Sequence, residues 1–163
     1  MHALALPPAS PPQPAPSTVA ALADEHQTIE RRLARLRALA IALTHAGLSH
    51  AVRAQAREAL AWFGNTTREH HLVEEREVFP ALLDSADPAL AAPAQRLLQE
   101  HDWLETEWQQ LAPALRAAAE GQASFDPQVL RHGVEVFVQL YRDHMAFEET
   151  HAYPLAHRQL GGA

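Results

Sequence analysis

The chain has 163 residues, enough for one domain with its own core. A formal net charge of -7 excludes a surface built to neutralise nucleic-acid phosphates, and the absence of cysteine excludes disulfides, iron–sulfur clusters and a thiol nucleophile. Hydrophobic residues make up 47% with much Ala and Leu, aromatics only 6%, and the other common types are strong helix formers, so the composition points to an all-α fold.

Residues 1–16 carry Pro7, Pro8, Pro11, Pro12, Pro14 and Pro16 and read as a disordered Pro-rich N-terminal arm. The opening MHALALPPAS lacks the basic and apolar regions of a secretory signal, and no apolar run is long enough to span a bilayer, so a cytoplasmic protein with no membrane partner is expected. A first helix starts at Ser17 or Thr18 and runs to about Gly47. Its basic stretch Arg31, Arg32, Arg35 and Arg37 lies beside Glu25 and Glu30 and reads as a solvated face. Ser49 caps a second helix that runs to about Asp84 and is kinked near Pro80. Residues 87–93 read as a connection, with the third helix starting around Pro93, bending at Pro113 and stopping near Gly121. Asp126 followed by Pro127 opens a fourth helix that reaches Tyr153 or beyond and ends by Gly161. Four helices of roughly 25 to 35 residues joined by short links predict an up-down-up-down four-helix bundle over residues 17–163.

The chain holds 11 histidines, and some of them repeat. The second helix contains His70, then Glu74, Glu75, Phe79 and Pro80; the fourth contains His144, then Glu148, Glu149, Tyr153 and Pro154. The first and third helices share a Glu-His pair, Glu25-His26 and Glu100-His101. His26 and His101 are 75 residues apart and His70 and His144 are 74 apart, so the chain is two similar helical hairpins. Residues four apart share a helix face, which pairs His70 with Glu74 and His144 with Glu148. Packed about a pseudo-twofold axis, the hairpins bring four imidazoles and two carboxylates inside the bundle. That donor set suits a carboxylate-bridged metal pair better than one tetrahedral ion.

The pattern His26, His70-xxx-Glu74, His101, His144-xxx-Glu148 resembles the hemerythrin-like (HHE cation-binding) family over roughly residues 18–157. The resemblance implies a centre of two Fe ions, oxo/hydroxo- and carboxylate-bridged, with His26, His70, His101 and His144 as terminal ligands and Glu74 and Glu148 as bridges. Zn can substitute for Fe in such a donor set. Oxygen-carrying hemerythrins have a second His four residues after the third-helix His, where this chain has Glu105, and an Asp five residues after the last His, where it has Glu149. That is similar to the bacterial subgroup linked to iron, oxygen, nitric oxide or peroxide handling, and it argues against simple oxygen carriage.

Glu105 and Glu30, four residues beyond His101 and His26, are further candidates as ligands or as hydrogen-bond acceptors for a ligand imidazole. His151, seven residues after His144, is a third. Tyr141 is a candidate to donate to, or be oxidised by, a bound oxygen species, against the alternative of core packing. Trp62, Phe63, Trp103, Trp108, Phe137 and Phe147 read as core, and His2, His45, His50, His71, His132 and His157 as surface residues. The expected function is a non-haem di-iron protein that binds or reacts with O2, peroxide or NO, with catalase/peroxidase-like or oxidase activity as one form and a non-catalytic iron/O2-binding sensor or buffer as the alternative.

Overall fold

A computed structural model describes residues 18–45 and 47–161; the N-terminal arm and Ser17 lie outside them. Helix α1, Thr18–His45, buries Leu22, His26, Ile29, Leu33, Leu36 and Leu43, a stripe at helical spacing. The Ser49 hydroxyl accepts from the Val52 amide and opens α2, His50–Val73. A π-helical turn, Glu74–Val78, follows directly, closed by the Phe79 amide donating to the Glu74 carbonyl at 2.8 Å, and α3, Pro80–Leu83, continues the rod.

Helix α4, Pro88–Glu120, begins five residues before the expected Pro93. Residues 88–93 are therefore helix, not connection. The reason is local: the Asp87 carboxylate accepts from the Ala89 amide at 2.9 Å and Pro88 takes the first helical position, the same device that Asp126 and Pro127 use to open α5. The helix runs unbroken through Pro93 and Pro113. It ends at Gly121, whose φ of 81° admits the left-handed conformation, with the Gln122 amide donating back to the Ala117 carbonyl. Helix α5, Pro127–Phe147, passes into a second π turn, Glu148–Ala152, and then α6, Tyr153–Gly161.

The two π turns sit at equivalent places in the two hairpins. Each starts on a Glu and is followed six residues later by Pro80 or Pro154. Proline has no amide to donate and its ring clashes with the carbonyl four residues back. A turn widened by one residue moves that carbonyl aside, so the expected kink at Pro80 takes the form of a π turn ahead of it.

Helix α1 packs on α2 and α5, and α4 packs on the same two, so the four rods stand at the corners of a square in up-down-up-down order. The core is in two parts. One contains Leu33, Phe63, Leu115, Phe137 and Tyr141; the other contains Leu22, Phe79, Leu82, Leu97 and Tyr153. Between them lies a layer of buried His and Glu. Phe63 and Phe137 are core as expected, and Trp62, Trp108 and Phe147 are partly buried against it. Trp103 is not: it is 53% exposed, because it follows His101 by two residues and faces the opposite side of α4.

Replacing Leu33, which is wholly buried, with Ala is expected to lower stability by about 2–5 kcal/mol. Trp103→Ala is expected to change it by no more than about 0.5 kcal/mol. Urea denaturation of the two variants checks both.

Candidate metal centre

Each rod delivers its part of the layer at mid-height: His26 from α1, His70 from α2 with Glu74 opening the first π turn, His101 from α4, and His144 from α5 with Glu148 opening the second. All six are buried, and the two carboxylates have no exposed surface at all. The imidazole Nε2 atoms converge on these carboxylates. His144 Nε2 lies 2.8 Å from Glu148 Oε1, His26 Nε2 3.2 Å from Glu148 Oε2, His101 Nε2 3.3 Å from Glu74 Oε2, and His70 Nε2 3.7 Å from Glu74 Oε1.

The opposite ring nitrogens are also engaged. Glu25 of α1 lies 2.8 Å from His70 Nδ1, and Glu75 of the first π turn lies 2.7 Å from His101 Nδ1. Glu100 of α4 lies 3.0 Å from His144 Nδ1, and Glu149 of the second π turn lies 2.8 Å from His26 Nδ1. Each rod therefore holds the histidine of the next, and the chain of contacts closes around the bundle. A carboxylate only accepts, so it assigns the proton to Nδ1 and leaves the Nε2 lone pair facing inward.

Inward-facing lone pairs set against carboxylate oxygens repel unless a cation or protons lie between them. Nε2 of His70, His101 and His144, Oε2 of Glu74 and both oxygens of Glu148 are buried without a hydrogen-bond partner among the described residues. Unpaired buried polar atoms are costly and rare, and six converging in one layer fit a cation-binding site. The ligand-capable atoms form two groups, each spanning no more than 4.8 Å: His26, His70, Glu74 and Glu148 in one, His71, Glu74, His101 and His144 in the other. Glu74 belongs to both.

The comparison with known families agrees with this geometry. The hemerythrin HHE cation binding domain matches residues 17–156. The chain belongs to this family. An uncharacterized protein of Haemophilus influenzae is 28% identical over 124 residues, 76% of this chain and 70% of that protein. No solved structure matches the chain. The buried cluster of this HHE domain thus fits a metal site in a family named for cation binding. No helix among the described residues is long and apolar enough to cross a membrane.

The structure brings together all six of the main candidates in this HHE domain, but not the three further ones. Glu105 is exposed and accepts from Gln109, Glu30 pairs with Arg142, and His151 is exposed, stacked on Phe147 and bonded to Thr150. The expected acceptor role falls instead to Glu25, Glu75, Glu100 and Glu149, each a sequence neighbour of a buried His or Glu. The signal was present in the repeated Glu-His and Glu-Glu pairs, but which helix each would reach was not.

His71, expected at the surface, is buried, stacks on His101 with ring centroids 3.9 Å apart, and faces the Tyr141 hydroxyl, 2.9 Å from its Nε2. Its position in the second hairpin is Met145, so no repeat flagged it. Tyr153, where the first hairpin has Phe79, donates to Glu74 Oε1 at 2.5 Å and lies 3.2 Å from His26 Nε2. The two half-sites therefore differ: one offers three imidazoles and a carboxylate, the other two of each.

In the metal-free protein, charge pairing sets the protonation. Burial lowers the pKa of His101, but Glu148 and Glu74 outweigh it and lift it to about 10. His26 and His144 are also raised, against the pull of burial, by carboxylates that include Glu148. Burial pushes Glu148 up, yet His144, His101 and His26 hold it well below the usual range; burial and Glu148 together raise Glu74. Burial and the neighbouring His101 and His144 hold His71 well below its ordinary value, so it is neutral.

Three raised histidines bind more protons in the folded state than the unfolded chain does above pH 6.5. The sign follows: their contribution to stability is complete below about 6.5 and is lost as pH rises through the folded values, about 10 for His101. Thermal melting of the metal-free protein is expected to fall steadily from pH 7 to 10, and metal uptake at pH 7 to release protons, measurable in weakly buffered solution. Glu75→Gln is expected to weaken metal affinity by roughly 10- to 100-fold, read by competition with a chelator, because it loosens His101 without removing a donor atom.

Proposed function

We propose that this HHE domain is a non-haem di-iron protein that binds or reacts with a small oxygen-derived or diatomic ligand, O2, peroxide or NO. The observation that carries this reading is the sharing of Glu74 between two four-residue groups whose inward atoms lack hydrogen-bond partners. One carboxylate with two oxygens reaching two ions is the arrangement that a metal pair needs. Glu148, with both oxygens buried and unpartnered, would serve as the second bridge. His26, His70, His101 and His144 would be the terminal donors, and the Cys-free mixture of imidazole and carboxylate suits iron, with zinc as the competing occupant.

When bound, the iron pair supplies Lewis acidity and redox electrons at one buried point. The chain's own residues do the rest. The four peripheral glutamates fix the imidazole tautomers, Tyr153 restrains one oxygen of Glu74, and the apolar cores above and below hold the rods in place. Tyr141 is fully buried with its hydroxyl engaged by His71. That engagement argues against Tyr141 serving a bound oxygen species; the alternative reading is a non-catalytic iron/O2-binding sensor or buffer.

Aerobically purified protein is expected to hold two irons per chain and to show near-ultraviolet absorption that dithionite bleaches. Rapid oxygen evolution on adding peroxide would favour a peroxide-detoxifying enzyme, and its absence the sensor or buffer. The His70→Ala/His144→Ala variant is expected to lose iron. Failure of the unaltered protein to take up iron after anaerobic reconstitution would overturn the proposal.

A further inference from the structure

A cavity of about 320 Å³ lies between α2, α4 and α5. Its lining runs from the exposed Arg68 and Arg116 to the buried Phe137, Tyr141 and His71, so it leads from the surface to the three-imidazole half of the metal layer. A water-sized ligand takes about 30 Å³ of liquid volume. The cavity is an order of magnitude larger and reaches the lower end of sites for small organic molecules, about 300 Å³. Its walls are mainly apolar, with Phe63, Leu104, Trp108 and Phe137 contributing most of the bulk.

Two features suggest that the space is kept open. Gly64 stands in the interior of α2, where glycine is destabilising relative to alanine, and a Cβ there would meet nothing within 4 Å. The equivalent residue of the second hairpin, 74 positions on, is the buried Val138. Packing closes the second hairpin at this height and leaves the first cut away. At the rim, Arg68 and Arg116 have no ion-pair partner among the described residues, as is also true of Arg76, Arg131 and Arg158 away from the cavity. The rim carboxylate, Glu105, accepts from Gln109. The mouth therefore carries two cations against one anion.

We propose that this cavity binds a small organic carboxylate with an aryl or alkyl body. Its charged end pairs with Arg68 and Arg116, and its apolar end packs against Phe137 and Tyr141. Arginine's planar fork matches a carboxylate, and the apolar walls select the body. The ligand's inner end then lies beside the Tyr141–His71 pair. Only its relevance to the iron centre rests on the function proposed above; binding itself does not.

Isothermal titration of the full chain, metal-free and iron-loaded, with 4-phenylbutyrate, 4-phenylbutanol and 4-phenylbutylamine tests this. The carboxylate is expected to bind saturably to both forms, with roughly tenfold preference over the alcohol. Arg68→Gln/Arg116→Gln is expected to erase that preference at unchanged iron content. Gly64→Phe is expected to abolish binding, with helix content and iron loading retained. No saturable binding, equal binding of the three probes, or undiminished binding by Gly64→Phe would each overturn the proposal. Iron loading without phenylbutyrate binding would sink this inference alone; phenylbutyrate binding without iron uptake would sink the di-iron reading alone.

Discussion

The structure turns on a layer of charge placed where the bundle would otherwise be apolar. Glu74 and Glu148 have no solvent contact, and burying two carboxylates this close to one another is strongly unfavourable unless cations accompany them. In the metal-free protein, His101, raised to about 10, supplies part of that charge, and Glu148 also raises His26 and His144. A cation held there would replace protons, which would couple folding to occupancy of the layer; the apolar cores on either side set its height in the bundle.

Orientation of the layer comes from the closed circuit of four glutamates. Each links one rod to the histidine of its neighbour, so relative sliding of any two rods would break a contact that fixes a donor atom. The circuit depends on the π turns. By widening the rod at Glu74 and Glu148, they direct Glu75 and Glu149 sideways while their predecessors point inward, and Pro80 and Pro154 make the wider turn the less strained choice.

The hairpin repeat is inexact where the chemistry would be most affected. His71 stands opposite Met145, Tyr141 opposite Thr67, Tyr153 opposite Phe79, and Gly64 opposite Val138. The first three make one half-site nitrogen-rich and the other phenol-bonded. The last lines a cavity that reaches the nitrogen-rich side at His71. The two groups of ligand-capable residues, related by the hairpin repeat, are thus unequal in their donor atoms.

The sequence by itself determined the helical class, the two-hairpin organisation and the identities of the four histidines and two glutamates that meet, because an i,i+4 spacing places side chains on one face whatever the packing. It also carried the caps at Ser49 and Asp126, whereas the Asp87 cap, and with it the start of α4 at Pro88, emerged only in the structure. Only the tertiary structure decided that His71 turns inward, that Trp103 turns out, and that Glu25, Glu75, Glu100 and Glu149, rather than Glu30 and Glu105, reach the imidazoles. Those outcomes depend on the rotation and height of each rod against its neighbours. That is a property of ridge-and-groove packing between helices and of the π turns, and no spacing within one helix encodes it.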